Sequence, residues 1–420
     1  MTSYADDTRV GAGAGIYGPV TDWATDIDHA DPSYNPHAPE IWAELRGSGC
    51  PVAHTDRYGG MWAPITAELV REVAYDTEHF SSQGVVVSEL KPEEPAPIGG
   101  APPITSDPPF HAFARRLLLP AFAPRPIQDL EPATRQLCRD LLDGIAGRLD
   151  ADGGLSDAAL DYAQNIPPAV IARMLGLPPE DDELFRGFIH DVLENLSADE
   201  ETREAKFENL DTYLDRHVAD HEANPRDDLI SYLLDVEIEG SKLSPEHVRG
   251  TVILLLIAGI DTTWSAIGAA LWHLASHPED RRRLAGHPEL LDVAVEELLR
   301  AYAPVTMARI VAKDVELGGR ELKAGDWVLL PFPAANRDPE VFEDADQVVL
   351  DRAVNRHSSF GLGIHRCLGS NLARMELKVA LQEWMARFPD FELADPDAVT
   401  WSAGQVRGPR RMPVRILGRS

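Results

Sequence analysis

Along most of this chain apolar residues recur three and four positions apart, the spacing that gathers them on one face of a helix. Helices are predicted over Pro39–Arg46, Ala67–Tyr75, 127–148, 158–175, 180–196, 202–223 and 227–235, then over Ala294–Tyr302 and Leu368–Arg387. The longest follows Ser244-Pro245 and runs to about Ser276, just before His277-Pro278. Serine suits its cap and proline its first turn. Roughly 32 residues at about 1.5 Å each reach almost 50 Å, enough to cross the whole molecule. Short strands are predicted at Val52–His54 and Met61–Ala63, around a turn at Tyr58-Gly59-Gly60. Others fall at Val315–Leu317, Glu321–Lys323, Trp327–Pro331 and Val414–Leu417, with glycine-containing turns between the middle three. The pattern is mainly α with small β-sheets, an α+β fold.

Two stretches lack any period. Residues 1–37, rich in Gly, Ala, Asp and Pro, are expected to form a loosely ordered leader. Within them Gly13-Ala14-Gly15-Ile16-Tyr17-Gly18 spells a dinucleotide fingerprint, but no strand precedes it and Pro19 follows where a helix should open, so it is rejected. Residues 81–103 are dense in Gly and Pro, and so long a loop inside a compact domain is usually functional. No linker or repeat interrupts 38–420, which is expected to be a single domain.

Composition narrows the function. A net charge of −30 argues against general nucleic-acid binding and against anionic membranes. The longest apolar run, Val252–Ile260, is too short to span a bilayer, and no signal sequence opens the chain. The three cysteines, Cys50, Cys138 and Cys367, make no pairing framework, which suits a reducing cytoplasm.

The chemistry concentrates at Phe360-Gly361-Leu362-Gly363-Ile364-His365-Arg366-Cys367-Leu368-Gly369. Glycines let this loop turn tightly, so that amide hydrogens can point at the sulfur. The helix that starts beside Cys367 favours a thiolate. Phe360 can cover one side of the sulfur, and Gly369 lets a flat cofactor approach. With no second cysteine or histidine at ligand spacing, a zinc site is excluded, whereas an axial thiolate to heme iron needs one cysteine. Upstream, Asp107-Pro108-Pro109 is expected to open a helix on which His111 and Arg115, four apart, can hold a carboxylate. The long helix carries Ala258-Gly259-Ile260-Asp261-Thr262-Thr263 at its middle. A threonine there can bond back to the carbonyl four residues before it and open the turn. An acid there is costly unless it is paired or used. Glu297 and Arg300 form an i,i+3 pair.

The cysteine loop resembles the heme-binding signature of the cytochromes P-450, the heme-thiolate monooxygenases. The mid-helix Ala-Gly-x-Asp-Thr-Thr, the Glu-x-x-Arg and the His-x-x-x-Arg are similar to further motifs of that family, and the resemblance runs from about residue 38 to the end. It implies the family's fold, with the long helix crossing the heme, and heme b with O2 as cosubstrate. Cys367 is then the iron ligand, with Phe360, Gly361 and Gly369 beside the cofactor. His111, Arg115, Arg309 and His365 match positions that bind the propionates. Asp261 and Thr262 match the catalytic pair that delivers protons. Glu297 and Arg300 match a buried structural pair whose third member falls near Gln347, where Arg or His is usual. Ile104, Leu254, Ile257, Ala258, Val305, Met307, Gln405 and Val406 match substrate-facing positions, with Ser81, Ser82, Ser88 and Lys91 as possible polar additions. Almost all are apolar, so a small, mostly hydrophobic substrate is expected, with Gln405 as its hydrogen-bond donor.

The chain has no flavin or iron–sulfur module, so electrons must come from outside, from a ferredoxin or flavodoxin-type donor with its NAD(P)H reductase. Arg352, Arg356, His357, Arg366 and Arg374, with Arg116 and Arg125, form a local basic patch suited to an acidic partner. Oxygen insertion from O2 is the leading reading. Peroxide-driven heme-thiolate oxidation and nitric-oxide reduction are the alternatives, and a heme sensor without turnover is a third. The Asp261-Thr262 pair speaks against them, because a proton relay of this kind serves O2 cleavage.

Overall fold

The computed structural model describes residues 17–49, 51–87, 100–189, 200–238, 241–402 and 404–418. Its helices are α1 (Tyr34–Gly47), α2 (Ala67–Tyr75), α3 (Phe110–Leu118), α4 (Pro124–Arg148), α5 (Ile166–Leu175), α6 (Asp182–Ile189), α7 (Glu200–Ala223), α8 (Leu229–Asp235), α9 (Pro245–Ser276), α10 (Pro278–Gly286), α11 (Leu291–Ala301), α12 (Phe332–Ala335) and α13 (Ser370–Arg387). The long helix ends where local chemistry says it must. The Ser244 hydroxyl accepts from the His247 amide at 3.2 Å, Pro245 takes the first position, and Pro278 opens the next helix. By length and composition α9 could cross a membrane, but about two thirds of its most apolar window is buried against the rest of the protein. Its hydrophobicity therefore belongs to the core, where it packs with α5, α7, α11 and α13.

The strands are β1 (Val52–Thr55), β2 (Met61–Pro64), β3 (Phe80–Ser81), β4 (Leu155–Asp157), β5 (Glu237–Ile238), β6 (Ser241–Lys242), β7 (Thr306–Val311), β8 (Val315–Leu317), β9 (Arg320–Leu322), β10 (Trp327–Pro331), β11 (Asp390–Leu393), β12 (Thr400–Trp401), β13 (Pro409–Arg411) and β14 (Pro413–Gly418). The main sheet has the order β1-β2-β10-β7-β3, with β10 parallel to β2 and antiparallel to β7 in a register that pairs Val328 with Arg309 and Leu330 with Met307. A second sheet, β11-β14-β4, joins the C-terminal strand to a segment more than 250 residues earlier, and β12 and β13 form a hairpin beside α9.

Several expectations change. The leader expected over 1–37 is packed from Tyr17 onward, while residues 1–16 lie outside the described part. Ile27, Asp28 and His29 are buried, and the Arg57 fork donates to Asp26 (2.7 Å) and Asp28 (2.9 Å). The acids that made this stretch read as loop are ion-pair partners for a distant arginine. The helix expected over 158–175 begins at Ile166, because Leu155–Asp157 pairs with β14 and Pro167 and Pro168 suit only a first turn. The stretch expected over 180–196 is helical to Ile189, and the remainder lies outside the described residues. Asp107 does not cap α3. Pro109 holds the cap position, and the Asp107 carboxylate accepts instead from the Ser81 hydroxyl (2.5 Å) and the Ser82 amide (2.8 Å).

Candidate heme-thiolate site

The cysteine loop is shaped by two glycines in the left-handed region, Gly361 at φ 70° and Gly363 at φ 66°. At Gly363 a side chain would also meet the Ala74 carbonyl oxygen at 2.3 Å, so glycine is what lets the loop lie on α2. The Cys367 amide donates to the Phe360 carbonyl at 2.6 Å, closing the loop ahead of α13. Cys367 lies deep among protein atoms, yet its surface is open to solvent, as expected of a side chain facing a cavity. Burial pushes its thiol up, against the pull of the Gly369 amide and the guanidiniums of Arg115, Arg366 and Arg374. A metal cation at the sulfur reverses that balance, since coordination deprotonates a thiol outright. Above the loop, the Arg374 guanidinium stacks 4.3 Å from the Phe360 ring.

The structure brings His111, Arg115, Arg309 and His365 together. The rings of His111 and His365 meet edge to face with centroids 4.3 Å apart. His365 Nε2 is hydrogen-bonded to the Ser82 hydroxyl at 2.8 Å, and Arg115 donates to the Arg366 carbonyl at 2.6 Å. Among the described residues Arg309 donates only to a backbone carbonyl, that of Ala308, at 2.7 Å. Burial pushes Arg309 down to about 10, and Asp107 alone pulls it back. Burial, with Arg309, His111 and Arg115 adding to it, pushes His365 down to about 2. His111 Nε2 is buried without a hydrogen-bond partner among the described residues. Burying cations without anions is unfavourable, so this set fits a group that brings its own carboxylates. Heme propionates are such a group.

At its middle α9 leaves one face uncovered. Residues on both sides of its middle are buried, but Leu254 and Ile257 are half-buried and Ala258 is exposed. Leu254, Ala258 and Thr262 are four apart and share one helix face, which therefore lines an opening. The Thr262 hydroxyl donates to the Ala258 carbonyl at 2.7 Å. Its proton is thus committed to the helix, and its lone pairs remain to accept from another group. Asp261 is turned elsewhere, fully buried, with one carboxylate oxygen accepting from Arg410 Nη2 at 2.6 Å.

The substrate-facing expectations divide. The Thr251 hydroxyl donates to the Pro102 carbonyl at 3.4 Å, which lays the segment carrying Ile104 across the first half of α9. Val305 and Val406 are bridged, and Met307 packs against the main sheet's apolar cluster. Gln405 is buried and its amide nitrogen donates to the Val85 carbonyl at 3.2 Å, so it is tied to backbone rather than held out as a donor. Ser81 and Ser82 are likewise committed, to Asp107 and His365, while Ser88 and Lys91 lie outside the described residues.

Glu297 and Arg300 form a buried fork at 2.8 Å on both sides. The third member is not the Gln347 side chain. Arg352 Nε donates to Glu297 at 3.0 Å, and Gln347 supplies only its carbonyl to Arg300. Arg352 is thereby removed from the basic patch. Arg374 is forked onto Glu296 at 2.6 and 2.8 Å, with His357 on the same carboxylate at 3.1 Å. Although burial raises it, Arg374 and His357 hold that carboxyl down at about 2. Arg116, Arg125, Arg356 and Arg366 keep exposed side chains. Two functional partners escaped sequence reasoning, Arg352 and Arg410. The glycines in the turn of Arg410's hairpin, Gly404 and Gly408, were the signal available for the second.

A loop cysteine just ahead of a helix, a long core helix left uncovered at its middle and a cluster of cations short of acids are the features of the class of heme-thiolate proteins. Residues 61–399 match the family Cytochrome P-450. A probable cytochrome P-450 127A1 of Sinorhizobium fredii is 34% identical over 90% of this chain and 89% of its own. The mycinamicin IV hydroxylase/epoxidase of Micromonospora griseorubida is 34% identical over 84% and 89%. The solved structure of the bacillaene polyketide synthase cytochrome P-450 PksS of Bacillus subtilis superposes with a TM-score of 0.84 at 29% identity, covering 93% of this chain and 99% of that one. The chain belongs to the cytochrome P-450 family. It therefore has that family's fold and is an oxidoreductase of the monooxygenase class, which uses heme b and O2 and draws on redox partners.

Proposed function

We propose that this protein inserts one oxygen atom from O2 into a small, mostly apolar organic molecule, by hydroxylation or oxidative dealkylation. Cys367 would hold the heme iron through its thiolate. His111, Arg115, Arg309 and His365 hold the propionates by charge-assisted hydrogen bonds. Phe360, Gly361 and Gly369 border the cofactor. When bound, the heme supplies the oxygen chemistry, which no side chain can perform. The protein's part is to orient the substrate, exclude water and deliver protons.

The opening at the middle of α9 carries this reading. Ala258 leaves room there, and Leu254 and Ile257 present hydrocarbon. Thr262, with its own proton tied to the Ala258 carbonyl, accepts a hydrogen bond from a water and holds it at the reacting position. Asp261 passes protons toward that water. Ile104, Val305, Met307 and Val406 complete an apolar wall for the substrate, with Gln405 buttressing it through Val85.

Electrons come from a ferredoxin or flavodoxin-type donor with its NAD(P)H reductase, docking over the cysteine side on Arg116, Arg125, Arg356 and Arg366. The free thiols of Cys138 and Cys367 suit a cytoplasmic setting. Thr262→Ala tests the central claim. The variant is expected to bind substrate and take up electrons normally but to release much of the oxygen as hydrogen peroxide. Product and peroxide per NAD(P)H, measured in a reconstituted system, decide it. Wild-type coupling in that variant would reduce Thr262 to a helix kink.

A further inference from the structure

The last turns of α9, the first turn of α1 and the segment from β11 to β12 enclose a cavity of about 550 Å³. It is apart from the middle of α9: Trp272 on its lining follows Thr262 by about ten residues, or roughly 15 Å of helix. Small-molecule sites usually measure about 300–1,000 Å³ and are mostly apolar with a few polar groups. This one fits. Two half-buried indoles, Trp272 and Trp401, line it with ring centroids 5.5 Å apart at 73°. Neighbours hold both rings. Tyr302 meets Trp272 edge to face at 5.8 Å, and the Arg407 guanidinium lies 4.2 Å from the Trp401 centroid while its Nε donates to the Asn35 carbonyl at 2.6 Å. A ligand would find this aromatic surface already in place, with little side-chain freedom left to lose on binding. The Ser276 hydroxyl on the same lining is buried without a hydrogen-bond partner among the described residues. Such a hydroxyl is costly to leave unanswered, and it can both donate and accept. The acids of the lining are Glu392 and Asp397, both exposed, and His37 is its remaining titratable group. No lysine or arginine lines it among the described residues. Arg407 is committed to Trp401 and Asn35, and Arg415, paired across the strands with Glu392, gives its Nη1 to the Gly153 carbonyl at 3.3 Å.

We propose that this cavity is a second ligand site, separate from the heme cavity, for a flat aromatic molecule that carries an ammonium group. The aromatic ring packs on Trp272 and Trp401, where ring contacts add to the burial of apolar area. A polar ring atom answers the Ser276 hydroxyl. The ammonium lies toward Glu392 and Asp397, which favour a cation and repel an anion. Because both acids are exposed, their pull is modest, and the indoles supply most of the affinity. The site needs no oxygen chemistry and stands whether or not Thr262 holds a water.

The test is calorimetric titration of the heme-loaded protein with three probes: N,N,N-trimethyltryptammonium, indole-3-propionate and tetramethylammonium. The first has ring and charge, and its quaternary nitrogen has no lone pair to offer to iron. The second has the ring with the opposite charge, and the third has the charge without the ring. Trimethyltryptammonium is expected to bind one to one, without moving the heme absorption band, and about tenfold or more tighter than either of the others. Trp401→Leu should weaken it about tenfold, the range of a lost aromatic contact. Glu392→Gln should weaken it up to about fivefold, the worth of an exposed ion pair, and Glu392→Lys should weaken it further. Trp401→Leu also removes the Arg407 stack, so the two changes at Glu392, an exposed strand position, keep the test independent of how the hairpin folds. Absence of binding at millimolar probe would overturn the proposal. A shift of the heme band on binding would place the probe in the heme cavity instead and overturn it as well. Equal affinity for tetramethylammonium would reduce the effect to the general attraction of an acidic protein for cations, and equal affinity for indole-3-propionate would remove the role of the acids. Affinity unchanged in both Trp401→Leu and Glu392→Lys would put the probe elsewhere on the molecule.

Discussion

Two groups of buried cations serve this site, and they are built on opposite rules. Around Glu297 every charge is answered: Arg300 is forked onto the carboxylate and gives its remaining N–H groups to the carbonyls of Asn336, Ala345 and Gln347, while Arg352 and Asn355 complete the acid. Around His365, Arg115 and Arg309 gather with no acid among the described residues apart from Asp107, whose oxygens are already taken by Ser81 and Ser82. A saturated network holds chain to chain. An unsaturated one is built for something the chain does not contain. Glu376 sharpens the point. It too is buried, with one oxygen unpartnered among the described residues, but burial raises its carboxyl well above the ordinary value, which favours the neutral acid over one that needs a counter-ion. Arg309, pushed down only to about 10, remains charged at neutral pH and does need one.

The comparison can be broken most severely at Arg300. Arg300→Met should cost about 3–5 kcal/mol, the usual loss when one partner of a buried ion pair is removed, and chemical unfolding would measure it. A loss below 1 kcal/mol would mean that Arg352 alone satisfies Glu297.

In the unsaturated cluster the sign should reverse between the two states of the protein. Arg115→Ala with Arg309→Ala is expected to weaken heme retention, each lost charge-assisted bond being worth about 1.5–3 kcal/mol. The same change should stabilise the heme-free protein, because uncompensated buried charge is removed. Heme occupancy after gel filtration and unfolding of the heme-free form test both halves, and full occupancy would count against the assignment.

Glu376 gives a smaller and pH-dependent effect. Its folded pKa lies above its unfolded value, so above the ordinary carboxylate range the native state holds a proton that the unfolded chain has lost. Its contribution to stability must therefore fall as pH rises, by up to about 1.4 kcal/mol per pH unit. Glu376→Gln should flatten the rise and fall of stability above the ordinary carboxylate range relative to wild type. Parallel curves would show that the acid is ionised in the fold.

The smallest effect is expected on the surface. Charge reversal at Arg116 should slow electron delivery a few-fold at low salt and lose that effect as the ionic strength rises, since screening acts over about 10 Å at 0.1 M. Arg374 is unsuitable for this test because its reversal would break the Glu296 fork. Rates that ignore both Arg116 and salt would point to another docking face.

Much of this could be read from sequence because it is local. The ends of α9 follow from Ser244-Pro245 and His277-Pro278 within a turn of each end. The back-bond of Thr262 needs only the carbonyl four residues before it, and the cysteine loop needs only its own glycines. Bringing His111, Arg115, Arg309 and His365 into one cluster was foreseen from motif resemblance, and the fold then supplied the geometry. What no local pattern contained was the choice of partners across long separations. Arg352 rather than Gln347 answers Glu297, Arg410 answers Asp261 from 149 residues away, and Arg57 anchors a segment that reads as a leader. Periodicity and capping are decided by neighbours a few residues apart, so the sequence states them openly. Which acid meets which base is decided by where packing brings distant elements together, and a chain with 39 cations and 69 acids leaves that choice to the tertiary structure.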